Sequence, residues 1–91
     1  MPAETAAKIR DAIERQLAPA QLRVQDESAL HAGHAGARAG GHFRVQVVSD
    51  QFRGLSRVSR HRMVYRAVAE LMGNGIHALA VDARAPEEVT S

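Results

Sequence analysis

Hydrophobic side chains recur every three or four residues in two stretches of the chain, the spacing typical of amphipathic helices. Residues 4–17 form the first stretch, which a proline follows, and residues 59–72 form the second, which a Gly-Asn-Gly turn ends. The apolar positions are Ala6, Ile9, Ile13 and Leu17 in the first stretch and Val64, Val68 and Leu71 in the second. Ser56 or Ser59 is expected to cap the second helix.

Apolar and polar residues alternate in residues 22–25 and 43–48, which are predicted to be strands, with Val48 on the other face of the second. Residues 76–81 are predicted to be a third strand. A loop of about residues 27–41, rich in glycine, alanine and histidine, separates the first two strands. A short helical turn is expected from Pro86, because proline and the acids after it suit the first turn of a helix.

The predicted order is αββααβ with a terminal helical turn. A strand, helices and a further strand in succession imply a right-handed parallel crossover. The sequence therefore predicts an α+β fold, in which a three-stranded mixed sheet is covered on one face by helices. With 91 residues and no internal repeat, we expect one domain over residues 1–91 with one core.

Composition excludes several classes of function. The chain has no cysteine, so it has neither a disulfide framework nor a thiol nucleophile. It shows no P-loop, no GxGxxG motif and no Ser-His-Asp arrangement, and we expect no catalytic residues and no small-molecule substrate. No segment approaches membrane-spanning length and the N-terminus lacks an apolar leader region. We therefore expect a cytoplasmic protein without enzymatic activity.

The net charge of +2 hides one strongly basic segment. Residues 38–66 contain seven basic residues against one acid, Asp50, a balance of +6. Such a segment is expected to bind an anionic partner, either nucleic acid, an acidic protein surface or a charged cofactor. The candidate binding residues are Arg53, Arg57, Arg60, Arg62 and Arg66.

The helical spacing of the second helix turns His61 inward with Val64 and turns Arg60 and Arg62 outward on diverging sides. A helix N-terminus that faces phosphates would present arginines in this way. An ordinary solvated helix would present them equally, and the sequence alone leaves both interpretations open.

Because the chain has no cysteine, an iron–sulfur or soft-metal site would have to use its histidines and take thiolates from elsewhere. His31 and His34 are three residues apart in the loop, a spacing that can chelate a metal, although no carboxylate or cysteine completes a recognised pattern. His42 ends the same loop. His77 begins the third strand and is predicted to share its face with Leu79 and Val81. It is either a hydrogen-bonded edge residue or a ligand.

Several runs of residues together resemble the BolA family, in order and at fitting spacings along nearly the whole chain. They are Asp26-Glu-Ser with His31 following, His42-Phe-Arg-Val, Val47-Val-Ser-Asp-Gln-Phe-Arg-Gly, Arg60-His-Arg-Met-Val-Tyr and Ile76-His-Ala-Leu-Ala. The resemblance implies an arrangement akin to type II KH domains. The chain lacks the GxxG loop with which nucleic-acid-binding KH domains hold a backbone.

The resemblance also implies two functions. Family members bind a monothiol glutaredoxin and share with it a two-iron, two-sulfur cluster, a role in iron–sulfur trafficking or in iron and redox sensing. Others are described as DNA-binding transcriptional regulators that affect morphology, stress response and biofilm formation, and here the basic, helix-turn-helix-like face would serve. His77 matches the family's cluster ligand, and His31, His34 and His42 are alternatives for the second. Glutaredoxin and glutathione would supply the thiolates, so the isolated chain is expected to hold no cluster.

Overall fold

A computed structural model describes the backbone of residues 2–28 and 40–89, and the side chains from residue 4 onward within those ranges. Within these ranges the chain forms two helices and three strands. They are α1 (Pro2–Leu17), β1 (Gln21–Asp26), β2 (Gly40–Val48), α2 (Arg57–Ala67) and β3 (Gly75–Arg84). Three short 3-10 turns accompany them, at Asp50–Phe52, Ala69–Leu71 and Pro86–Glu88.

The sheet has the strand order β1-β2-β3. Strands β1 and β2 are antiparallel, with Gln21 opposite Val48, whereas β2 and β3 are parallel, with Phe43 opposite Leu79. The parallel pair requires the chain to cross over between Val48 and Gly75, and α2 lies in this crossover. The predicted mixed sheet is therefore confirmed.

One face of the sheet carries the hydrophobic core and both helices pack on it. The largest fully buried side chains, each less than 2% exposed, are Ile9, Ile13, Val45, Val47, Phe52, Val64, Val68 and Ile76, together with the polar Ser49. On the other face of β2, Arg44 and Gln46 are exposed. This strict alternation in β2 explains why the period-two pattern identified the strand correctly.

Helix α2 differs at both ends from the helix predicted over residues 59–72. It begins at Arg57, because the Ser56 side chain accepts a hydrogen bond from the Ser59 amide as the N-cap. It ends at Ala67, and a 3-10 turn carries the chain on to Leu71. The α-helical stretch is therefore shorter than the predicted 59–72.

The first of the two consecutive helices in the predicted order αββααβ is only the 3-10 turn at Asp50–Phe52. The side chain of Ser49 caps this turn by accepting a hydrogen bond from the Gln51 amide, and Phe52 enters the core. Gly54, with a φ of 75°, follows in a conformation that favours glycine. One turn is enough to deliver Phe52 to the core.

Strand β3 is longer than the predicted 76–81, because its ladder with β2 continues as far as the pair Val48 and Arg84. The terminal helical turn is confirmed at Pro86–Glu88. Ala85, which precedes this turn, is only 1% exposed. The turn is thus anchored on the core and forms part of the fold.

Candidate metal centre and basic surface

The structure brings two of the candidate ligands together. His42 lies near the start of β2 and His77 near the start of β3, and their ring centroids are 5.2 Å apart at an interplanar angle of 51°. Because β2 and β3 are parallel neighbours, their starts meet at the same end of the sheet. The crossover topology therefore creates a pair of imidazoles from residues 35 positions apart.

A β-bulge sets the orientation of His77. In the register, Gly41 lies opposite Ile76 but His42 lies opposite Ala78, so His77 is the extra residue of β3. Ile76 is fully buried whereas His77 is exposed. The prediction that His77 shares the apolar face of Leu79 is wrong, because the bulge interrupts the alternation of side chains. His77 is presented to solvent at the end of the sheet.

Glycines allow the two strands to approach closely beside the histidine pair. Gly40 has a φ of 133° and Gly75 a φ of 118°, a region that side chains rarely adopt. A Cβ atom on Gly40 would lie 3.0 Å from the carbonyl of Gly75 and from the amide nitrogen of His77. A side chain at Gly40 would therefore displace the backbone of His77.

Hydrogen bonds from the end of β1 fix the backbone of His42. Its carbonyl accepts from the Glu27 amide at 2.7 Å, and its amide donates to the Ser28 hydroxyl at 3.1 Å. The Ser28 amide in turn donates to the Asp26 carboxylate at 2.8 Å. These bonds close the base of the loop directly at His42.

One of the three candidates for the second ligand can be located in the structure. His42 stands beside His77, and His31 and His34 lie outside the described residues. In the ranges 4–28 and 40–89, no group of three or more histidine or carboxylate side chains could hold a metal ion. Two imidazoles fit the ligation of one iron of a cluster but leave the set incomplete. The pair therefore suits a site that a partner completes.

Arg60 is a structural residue and does not face outward as predicted. Its side chain is only 12% exposed. Its guanidinium donates to the carbonyls of Leu55 at 2.9 Å and Ala83 at 3.2 Å, and it forks onto both oxygens of Glu88, at 2.5 and 3.0 Å. The outward orientation failed because Glu88, distant in sequence, folds back onto α2.

Arg53 is also engaged by acids. It pairs with Asp50 at 2.6 Å and with Glu87 at 2.9 Å. The hydrogen bond from Arg60, followed by that from the Ala85 amide, lowers the pKa of Glu88 to about 2. The terminal turn thus places two carboxylates on the basic segment. Sequence reasoning assigned these acids to a helix start and missed their arginine partners.

Besides Arg53, the exposed candidate arginines are Arg57, Arg62 and Arg66. None of them pairs with an acid in the part of the chain that the structure describes. Arg62 and Arg66 are one turn apart and share a face of α2. His61 is half-buried and lines a groove with Arg57 beside β3, so it is turned only partly inward.

Tyr65 has a structural role that the sequence patterns do not indicate. It is 38% exposed, and its hydroxyl donates to the Leu79 carbonyl at 2.6 Å. Leu79 follows His77 by two residues, so this bond ties α2 to the strand that carries the histidine. A tyrosine eight residues into a helix gives no sequence signal for such a contact.

In the described residues, no helix is both long enough and apolar enough to cross a membrane. The mixed sheet, its helices on one face and the paired histidines define a small α+β domain with two candidate ligands at one end of the sheet. Among known families, the model that matches is described as BolA-like protein and covers residues 13–88. The chain belongs to the BolA family, which confirms the resemblance seen in its motifs. This match does not indicate a catalytic family.

Relatives from several organisms are similar to this chain. BolA-like protein 1 of Homo sapiens is 46% identical over 82 residues, which cover 90% of this chain. SufE-like protein 1, chloroplastic/mitochondrial, of Arabidopsis thaliana is 41% identical over 90% of this chain. The DNA-binding transcriptional regulator BolA of Vibrio cholerae is 40% identical over 88% of this chain and 77% of its own length.

The chain spans 24% of the Arabidopsis relative and 58% of the human one. The solved BolA domain of SufE1 from Arabidopsis thaliana matches with a TM-score of 0.82 and 42% identity, over 92% of this chain and 94% of that domain. The α+β fold class is thus that of BolA domains.

Proposed function

We propose that this protein is an adaptor that binds a monothiol glutaredoxin and shares with it a two-iron, two-sulfur cluster. Its role would be iron–sulfur trafficking or the sensing of iron and redox state. The observation that carries the proposal is the His42–His77 pair at one end of the sheet. The pair is built by a bulge and close-packed glycines, which are features of a positioned site.

The chemistry of the pair supports a shared site. The pair offers two imidazoles, and the chain has no cysteine to supply a thiolate, so a partner glutaredoxin and glutathione would supply the sulfur ligands. Imidazole ligation raises the potential of such a cluster above that of an all-thiolate one. This property suits transfer or sensing. The isolated chain should hold no stable cluster and turn over no substrate.

His42 is our choice for the second ligand, because its backbone is fixed by Glu27 and Ser28 next to His77. His31 and His34 remain the alternatives, and each makes a distinct prediction. If His42 is the ligand, its replacement should act as strongly as that of His77. If His31 or His34 is the ligand, the effect of replacing it should exceed the effect of replacing His42.

The test is reconstitution with a monothiol glutaredoxin, followed by visible absorption and circular dichroism. The mixture should form a coloured heterodimer whose spectrum differs from that of the glutaredoxin homodimer. His77→Ala should remove the difference, and His42→Ala should do so under the assignment above. His61→Ala is the matched control, because His61 lies on α2 away from the pair. A heterodimer spectrum unchanged by His77→Ala would refute the proposal.

Duplex DNA binding is the second candidate function. Arg62 and Arg66 are exposed on one face of α2 without acidic partners in the described chain, and the Vibrio cholerae relative is named a DNA-binding transcriptional regulator. Arg62→Ala should weaken binding to all sequences alike and reduce the salt slope by about one. Arg23→Ala is the control, because it removes an exposed arginine of β1. An affinity that barely changes with salt would count against this function.

A cytoplasmic location remains a proposal. One relative of the chain carries a chloroplastic/mitochondrial name, so the family is not confined to one compartment. Fluorescence microscopy of the tagged protein, expressed at its native level, would test the prediction.

A further inference from the structure

Strand β3 is an edge of the sheet, and its outward-facing backbone groups can be identified. In a strand, the N–H and C=O of one residue point to the same side, and the side alternates along the chain. The Arg84 carbonyl accepts from the Ser49 amide at the end of β2, so Arg84 points toward β2. The backbone N–H and C=O groups of Leu79, Val81 and Ala83 therefore point outward from this edge, away from β2.

Side chains of α2 cover two of these three positions. The Tyr65 hydroxyl donates to the Leu79 carbonyl, and the Arg60 guanidinium donates to the Ala83 carbonyl at 3.2 Å. Such covering of a strand edge limits unwanted pairing with other chains. No side chain in the described ranges hydrogen-bonds to the backbone of Val81, which lies between the two covered carbonyls.

Val81 opens into a groove of about 620 Å³ between α2 and β3. Its lining includes Leu55, Arg57, His61, Val81 and Arg84. The edge from Leu79 to Ala83 is about 13 Å long at about 3.3 Å per residue, which is room for a short extended segment. The apolar side chain of Val58, 58% exposed, lies on the same helix.

Charge on the groove favours an acidic occupant. Helix α2 contains four arginines and no acid. Within the lining, Glu88 neutralises Arg60 and Asp82 pairs with Arg84 at 3.0 Å. Arg57 has no such partner among the described acids, so the groove keeps a surplus of positive charge beside the open backbone of Val81.

We propose that this groove binds an extended acidic segment of a partner protein. One residue of the segment pairs with the N–H and C=O of Val81, and a neighbouring carboxylate lies against Arg57. This is the addition of a short strand to a sheet edge, confined to one residue by the Tyr65 and Arg60 contacts. The groove is distinct from the histidine pair, because Val81 is four residues along β3 from His77.

The probe is an acetylated, amidated peptide in which valine alternates with aspartate, titrated into the isotope-labelled protein and followed by amide NMR. We expect saturable shifts at Val81 and His61 and slower hydrogen exchange at Val81. Arg57→Glu should weaken binding at least tenfold. This variant is expected to fold, since an acid suits the first turn of a helix. Arg23→Glu, on β1, is the matched control and should change affinity less than twofold.

Two further peptides separate the contribution of backbone pairing from that of charge. Methylation of the central amide removes its N–H and should abolish the shifts, whereas a peptide with lysine in place of aspartate should bind at least tenfold more weakly. Equal binding of either peptide would overturn the proposal, as would equal effects of the two arginine variants. Shifts at the same amides with duplex DNA but not with the acidic peptide would also overturn it.

Discussion

Ser49→Ala should destabilise the fold far more than the same replacement at Ser59, in the first turn of α2. The Ser49 side chain is fully buried at the end of β2. Its hydroxyl donates to the Leu17 carbonyl at 2.7 Å and accepts from the Gln51 amide at 3.2 Å. One oxygen thus joins the C-terminus of α1 to the 3-10 turn that delivers Phe52 to the core.

The magnitude follows from these two bonds. Loss of the donor to a buried carbonyl costs about 1–3 kcal/mol, and loss of a capping side chain costs about 0.5–2 kcal/mol. The two losses share one atom and are not additive, so we expect a decrease of about 2–3 kcal/mol in the free energy of unfolding. For a domain of this size, that corresponds to a fall of roughly 10–20 °C in Tm.

Urea unfolding followed by circular dichroism would measure the effect. The midpoint should fall with little change in the m-value, because the surface exposed on unfolding stays the same. Ser59→Ala is the matched control, and it should stay within about 0.5 kcal/mol of the wild type. If Ser49→Ala costs no more than this control, the hydroxyl does not join the elements as described.

Three other outcomes are expected. Because Arg60 holds the pKa of Glu88 at about 2, below its usual 4.5, the ionised carboxylate stabilises the fold above about pH 4.5 and this contribution is lost toward pH 2; urea titrations should show a smaller acid loss for Glu88→Gln. Gly40→Ala should lower the free energy of unfolding by about 2 kcal/mol or more, because its Cβ would meet backbone atoms, and it should lower the yield of the proposed cluster. Gly54→Ala, whose Cβ would enter open space, is the control and should lower the free energy of unfolding, measured by denaturation, by about 1 kcal/mol. Tyr65→Phe should cost about 1 kcal/mol and speed hydrogen exchange along the outer edge of β3.

Much of the fold could be predicted because the periodic patterns reflect burial directly. The alternation of Phe43, Val45 and Val47 and the helical spacing of Ile9 and Ile13 both point at the same core. The mixed sheet then followed from the order of the elements. The shared BolA motifs led to the same fold independently.

The orientation of His77 could not be predicted from alternation. His77, Leu79 and Val81 are spaced as one strand face, and only the register with β2 shows that a bulge separates the first from the other two. A bulge depends on the partner strand, here through the glycines at Gly40 and Gly41. The pattern within β3 alone contains no trace of it.

The burial of Arg60 and its pairing with Glu88 could not be predicted for a different reason. Its helical position is compatible with solvent, and its partner Glu88 is 28 residues away. Contacts at this distance are set by the tertiary fold and leave no local pattern. The same holds for the nearness of His42 to His77, which depends on the crossover between β2 and β3.

The closed base of the loop has an evolutionary consequence. Because Glu27 and Ser28 hold the His42 backbone, β2 begins at a fixed place whatever sequence occupies residues 29–39. A longer insertion there costs little, since each doubling of loop length adds only about 0.6 kcal/mol. Histidines can therefore be gained or exchanged in this segment by single substitutions, while the scaffold that presents His77 stays unchanged.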